Sequence, residues 1–186
     1  MTTTDTCTLF TLGHSNLSVE NLLAIIRSAR VTCVVDVRAV PHSARCPQFS
    51  QDALRPELNT AQVTYHWAGR ALGGRRTALP DSPQVALQDP ASRGFADHIG
   101  TPDFARGIAQ LLHLAQREPT AMMCAEHLPE HCHRRLIADA LVLRGVRVIH
   151  LLDATLQREH VLSAEVRRES TTLIYDRHTT RRLDLQ

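Results

Sequence analysis

Thr120-Ala-Met-Met-Cys-Ala-Glu126, followed by His127-Leu-Pro-Glu-His-Cys132-His-Arg-Arg135, decides how the chain is read. Residues 120–125 have the apolar run of a strand, and a helical pattern follows from Cys132 to Arg144. Gly145 stands at the position where a helix stops with a left-handed residue. Residues 147–152 then read as another strand. A strand, a short loop, a helix and a second strand make a βαβ unit, which is right-handed and belongs to a parallel sheet.

The same rhythm appears upstream. Residues 7–12 read as a strand that runs into the turn Gly13-His14-Ser15-Asn16. Ser18 suits the N-cap of a helix to about Arg30, with Val19, Leu22, Leu23 and Ile26 on one face. Residues 32–37 are apolar and β-branched, as in a strand buried on both faces. Residues 38–49 form a loop, Ser50 starts a short helix that Pro56 should bend or break, and residues 63–67 form a third strand. Residues 69–100 are the least regular part and read as a long loop or lid. Thr101-Pro102 opens a helix to about Arg117, and Thr155 to Glu169 is expected to be helical before a frayed polar tail. The expected architecture is a single three-layer α/β/α domain, Rossmann-like, with a mainly parallel five-stranded sheet. A C-terminal helix and tail occupy 153–186.

Composition narrows the function classes. With 186 residues, 43% hydrophobic and 22% charged, the chain suits one globular domain. No apolar run spans a bilayer, and residues 1–5 lack the basic and apolar regions of a signal peptide, so the expectation is cytoplasmic with no membrane partner. Five cysteines at irregular spacing do not suggest a disulfide framework. All 21 basic residues are arginine. A lysine Schiff base and a P-loop lysine are therefore excluded, and anions must be met by arginine, histidine or backbone N–H groups.

Parallel sheets bind ligands beyond the carboxyl ends of their strands. That edge should gather His14 and Ser15 after the first strand, Asp36 and Arg38 after the second, Trp67 and the Gly73-Gly74 loop after the third, and Cys124 and Glu126 after the fourth. Cys132-His133-Arg134 would open the next helix, whose N-terminus favours a thiolate and an anion. Glu126 would act as general acid or base if it were buried beside arginine. His14 would shuttle a proton or orient its turn. Asp36 and Arg38 would form a shaping salt bridge or contact ligand. Trp67 and Phe95 offer stacking or simple packing.

Three motifs were tested against this region. The zinc deaminase pattern fails because no Pro-Cys-x-x-Cys is present. The phosphatase pattern Cys-x5-Arg fails because nine residues separate Cys124 from Arg134. The density of Cys124, Glu126, His127, Glu130, His131, Cys132 and His133 leaves zinc or iron open, with Cys124, Cys132 and His133 as ligands, although no cofactor is required.

Gly13-His14-Ser15, Asp36-Val37-Arg38 with Pro41 and Ser43, Leu72-Gly73-Gly74, Arg93-Gly94 with Ala96-Asp97, and Met123-Cys124-Ala125-Glu126 through Cys132-His133-Arg134 to Ala138-Asp139 together resemble the family catalogued as domain of unknown function 488. The resemblance covers about residues 9–152 and supports the fold and the site. Family members often continue the fifth strand into a glycine turn, where this chain has Asp153-Ala154.

The reading that follows is an enzyme acting on a nucleotide, a nucleobase or a nucleic-acid end, by hydrolysis or glycosyl transfer. Its acid/base would be Glu126 or Asp36, its thiol Cys132 or Cys124, and its anion clamps Arg38, Arg93 and Arg134, with Ser15, Ser43, Gly73, Gly74 and His133 around the substrate. Redox chemistry is disfavoured because Gly-x-Gly-x-x-Gly is missing. The alternatives are a nucleotide- or nucleic-acid-binding module without turnover and a metal protein.

Overall fold

The structure is a computed structural model that describes residues 7–170 and 172–177. The calls for the extreme N-terminus and for a frayed tail lie outside the described residues. Five parallel strands form the sheet: β1 (Thr8–Gly13), β2 (Cys33–Asp36), β3 (Thr64–Trp67), β4 (Thr120–Cys124) and β5 (Arg147–Leu151). A sixth, β6 (Gln157–Glu159), pairs antiparallel with β5, giving the order β3-β2-β4-β1-β5-β6. Strands β7 (Val166–Glu169) and β8 (Thr172–Tyr175) form a separate hairpin.

Helices cover both faces. α1 (Val19–Ser28) and α2 (Gln51–Thr60) lie on one side, with α3 (Gly69–Leu72), α4 (Pro90–Ile99), α5 (Pro102–Ala115) and α6 (Arg134–Val142) on the other. Strand alternation divides the core accordingly. Val34, Ala121 and Met123 pack with Leu22, Ile26, Leu54 and Leu58, whereas Cys33, Val35, Met122 and Cys124 pack with Phe95, Ile108 and Leu136. Cys124 therefore faces the α4–α6 layer. No described helix is long and apolar enough to cross a membrane.

Several local expectations change. Residues 69–100 contain α3 and α4, and α4 is opened by Asp89, whose side chain accepts from Ser92 N at 2.7 Å, with Pro90 in its first turn. α2 runs unbroken through Pro56, because the flanking Leu54 and Leu58 are fully buried and this packing outweighs one lost hydrogen bond. The helix expected from Thr155 to Glu169 is replaced by β6 and β7. Asp153 Oδ1 accepts from the backbone N of Thr155 and of Leu156, turning the chain back along β5. Strand pairing there overrides helix propensity.

The carboxyl ends of the strands are level. Gly13 stands opposite Cys124, Asp36 opposite Met123 and Trp67, and Leu12 opposite Leu151. Everything the loops carry beyond these residues meets at one edge of the sheet.

Candidate functional site

Under that edge lies an ion pair with no exposure to speak of. Asp36 is fully buried and Arg38 is 6% exposed. Arg38 Nε donates to Asp36 Oδ1 at 2.9 Å and Nη2 to Oδ2 at 2.5 Å, while Tyr65 OH donates to Oδ2 at 2.6 Å. Arg38 Nη2 also donates to the Phe49 carbonyl at 2.8 Å, and Nη1 donates to His14 Nε2 at 3.1 Å. His14 Nε2 must then be the acceptor, so Nδ1 carries the proton and donates to Ser15 O at 2.9 Å. Burial first, then the Arg38 charge, lowers the His14 pKa to about 4. His14 is a neutral ring with both nitrogens engaged, stacked on Phe49 at 4.4 Å. It orients Arg38, and the proton-shuttle alternative does not fit this placement. Asp36 is likewise held by Arg38 and Tyr65 and is not free to act as acid or base.

Arg134 is a second internal brace. It is 1% exposed, donating Nη1 to Glu126 O and Nη2 to His127 O, the latter at 2.5 Å. This grips the loop after β4. Gly13 allows the grip, because a Cβ there would sit 1.7 Å from Glu126 O and 2.8 Å from Arg134 Nη1. Arg93 also turns inward, donating Nη2 to Leu87 O at 2.9 Å. The three arginines expected to clamp an anion are thus committed to holding the scaffold.

Above these braces opens a cavity of about 490 Å³, within the range of small-molecule sites. Its wall includes His14, Arg38, Ser43, Gly74, Cys124, Glu126, Cys132 and His133. Ser15, Asp36, Gly73, Arg93 and Arg134 do not line it. Ser15 closes the turn after β1 at φ 45°. Gly73 donates its N–H to Gly69 O at 2.9 Å. Ser43 lines the cavity while its Oγ accepts from Cys46 N at 3.0 Å. Glu126 is exposed at the rim, so the condition set for it, burial beside arginine, is not met by its side chain.

Two further arginines, Arg45 and Arg75, line the same cavity. Both are exposed, and among the described residues no hydrogen bond or ion pair holds either side chain. Arg75 directly follows the Gly73-Gly74 pair, which in sequence offers backbone and charge together to a phosphate, whereas Arg45 carries no such signal. Arg76 is not equivalent, since it donates to Gly73 O and Arg70 O. Arg45 sits in the β2–α2 loop with nothing in its neighbours to mark it.

Cys124, Cys132 and His133 form the polar focus of the cavity. Their ligating atoms all lie within 4.8 Å of one another. His133 Nδ1 is 3.8 Å from each sulfur. His133 Nε2 is 3.1 Å from Val37 O, which can only accept. Nε2 therefore carries a proton, and Nδ1 faces the two sulfurs. Phe95 meets the ring edge-on at 5.0 Å, and a Cβ at Gly74 would come within 2.5 Å of it. Gly74 is needed for close approach to His133.

The two thiols differ. The hydrogen bond from Cys132 holds the Cys124 pKa below its ordinary value despite burial, helped by the Arg134 charge and the N–H groups of Ala125 and Glu126. The same hydrogen bond, with burial, pushes the Cys132 thiol up. The sequence expectation of a polarised Cys132 at a helix N-terminus is corrected here. Cys132 follows a 3-10 turn (Pro129–His131) and precedes α6 by two residues, outside the first turn of the helix.

Fold and site together define an α/β protein with a thiol- and histidine-centred cavity at the carboxyl edge of a largely parallel sheet. The model of the family described as domain of unknown function DUF488 matches residues 18–141, and the chain belongs to that family. No curated protein and no solved structure matches it.

Proposed function

We propose that the protein is an enzyme acting on a nucleotide, a nucleobase or a nucleic-acid end, by hydrolysis or glycosyl transfer. The observation that supports this reading is the meeting of two kinds of group in one cavity. Its Cys124–Cys132–His133 focus offers reactive chemistry, and Arg45 and Arg75 offer unpaired forks for a phosphate. The thiol focus is where the bond is broken, and the rim arginines hold the charged part of the substrate. Glu126 lines the rim, where bound substrate would bury it, and serves there as the general acid or base.

The test is a panel of nucleosides, mono- and dinucleotides and phosphate-ended single strands, with products separated by chromatography. On the substrate found, Arg45→Ala and Arg75→Ala should each raise KM roughly tenfold, the scale of a lost charge-assisted hydrogen bond. Cys124→Ser and Glu126→Gln should instead lower kcat by roughly 100-fold or more. Tight nucleotide binding that survives Cys124→Ser, with no product from wild type, would replace the enzyme by a binding module.

A further inference from the structure

We propose that Cys124, Cys132 and His133 are three ligands of a thiophilic divalent cation of the zinc type, whose fourth position opens into the cavity. As an account of what the thiols do, this rests on the reading of the cavity as a catalytic centre.

The donor set is the first argument. Two sulfurs and one imidazole suit zinc and its first-row neighbours, and suit magnesium or calcium poorly. Spacing is the second. With Zn–S of about 2.3 Å and Zn–N of about 2.0 Å, a tetrahedral centre puts sulfur and nitrogen about 3.6 Å apart and the two sulfurs about 3.8 Å apart. Both S···Nδ1 separations here are 3.8 Å, and all three atoms fall within 4.8 Å. Only small side-chain adjustments separate this arrangement from a coordination triangle.

The third argument is the support around the ligands. A metal-bound histidine typically donates its other N–H to a carbonyl or carboxylate, which fixes the ring and the tautomer. His133 does this through Nε2 to Val37 O at 3.1 Å. The ring could not take this seat if residue 74 had a side chain, since a Cβ would lie 2.5 Å from Nδ1 itself. Three protein ligands beside an open cavity is the pattern of catalytic zinc; structural sites close with four.

The full chain would be purified without tag or chelator under anaerobic conditions, analysed for metal, then stripped and titrated with Co2+. The expected result is one equivalent of metal per chain, with the thiolate-to-cobalt charge-transfer and intense d–d absorption of a tetrahedral site. Cys132→Ser and His133→Ala should weaken binding by more than the roughly 10–100-fold that loss of an outer partner costs. Cys7→Ser, outside the cavity, should bind as wild type. If Cys124→Ser fails to fold, those two variants and chelator competition on wild type carry the test. Folded wild type that takes up no cobalt with thiolate absorption, or binds it no better than His133→Ala does, overturns the proposal. Turnover without metal would leave the enzyme reading standing and this inference lost. Tight metal binding with no turnover of any nucleotide would do the reverse.

Discussion

Asp36 shows how a residue can look catalytic in sequence and be structural in place. Its spacing from Arg38 sends both to one side of β2, and the result is a buried pair closed by Tyr65 and His14. Removing one partner leaves an uncompensated buried charge, which costs about 3–5 kcal/mol. Asp36→Ala should therefore lower the unfolding free energy by that amount in a denaturant titration. Asp36→Leu combined with Arg38→Met should cost less than Asp36→Ala alone; an equal or larger loss would mean that the pair is not the source. Glycines separate in the same way. Gly145 has φ 79° and open space around it, so Gly145→Ala meets only the left-handed penalty, about 1 kcal/mol. Gly13→Ala drives a methyl into Glu126 O and should cost more, displacing the loop that Arg134 holds. Equal losses for the two alanines would remove the close-approach argument. Residue type told which groups matter; whether a given arginine faces inward or outward depended on carbonyls at Leu87, Glu126 and His127 that no local pattern reveals.

At the level of elements, legibility followed the strength of local signals. Apolar runs placed all five parallel strands to within one or two residues, and Ser18 and Thr101 cap α1 and α5 as read. α4 was overlooked although Asp89-Pro90 carries the same start signature as Thr101-Pro102, because the prolines and glycines around it dominated the reading. β6 was not readable at all. Its three residues are exposed and polar, and only pairing with β5 makes them a strand. The α4 cap has a direct consequence. Asp89→Ala should destabilise the protein by about 1 kcal/mol, while Asp89→Asn, an equally good cap, should not. Phe95 on α4 braces His133, so the alanine variant should also widen the site. Thermal unfolding of the two variants checks the cap; equal Tm values would assign Asp89 no capping role.

Across the whole molecule, the C-terminal segment is clasped to the core by a chain of hydrogen bonds between buried polar groups. Asp139 is fully buried and accepts from His160 Nε2 at 2.9 Å, from Ser163 Oγ at 2.6 Å and from Tyr175 OH at 2.9 Å. His160 Nδ1 meets His150 Nε2 at 2.9 Å, and His150 Nδ1 meets the Thr11 hydroxyl at 2.7 Å. Burial lowers the His150 pKa to about 3. His14 stands at about 4, and burial lowers His98 as well. In the unfolded chain these histidines titrate near 6.5, so below that pH the unfolded state binds more protons than the native state. Their contribution is fully present above about pH 6.5 and is lost as pH falls toward the native values. Each such histidine adds a slope of up to about 1.4 kcal/mol per pH unit. Asp139, held low by His160 and Ser163 against burial, acts in the same direction at lower pH. Denaturant midpoints should thus be level between about pH 7 and 8 and fall steeply from about pH 6.5 to 4.5. His150→Leu should be less stable at pH 7.5 yet show a slope smaller by about one proton. A wild-type profile that stays level down to pH 5 would mean that these rings accept protons without leaving the fold.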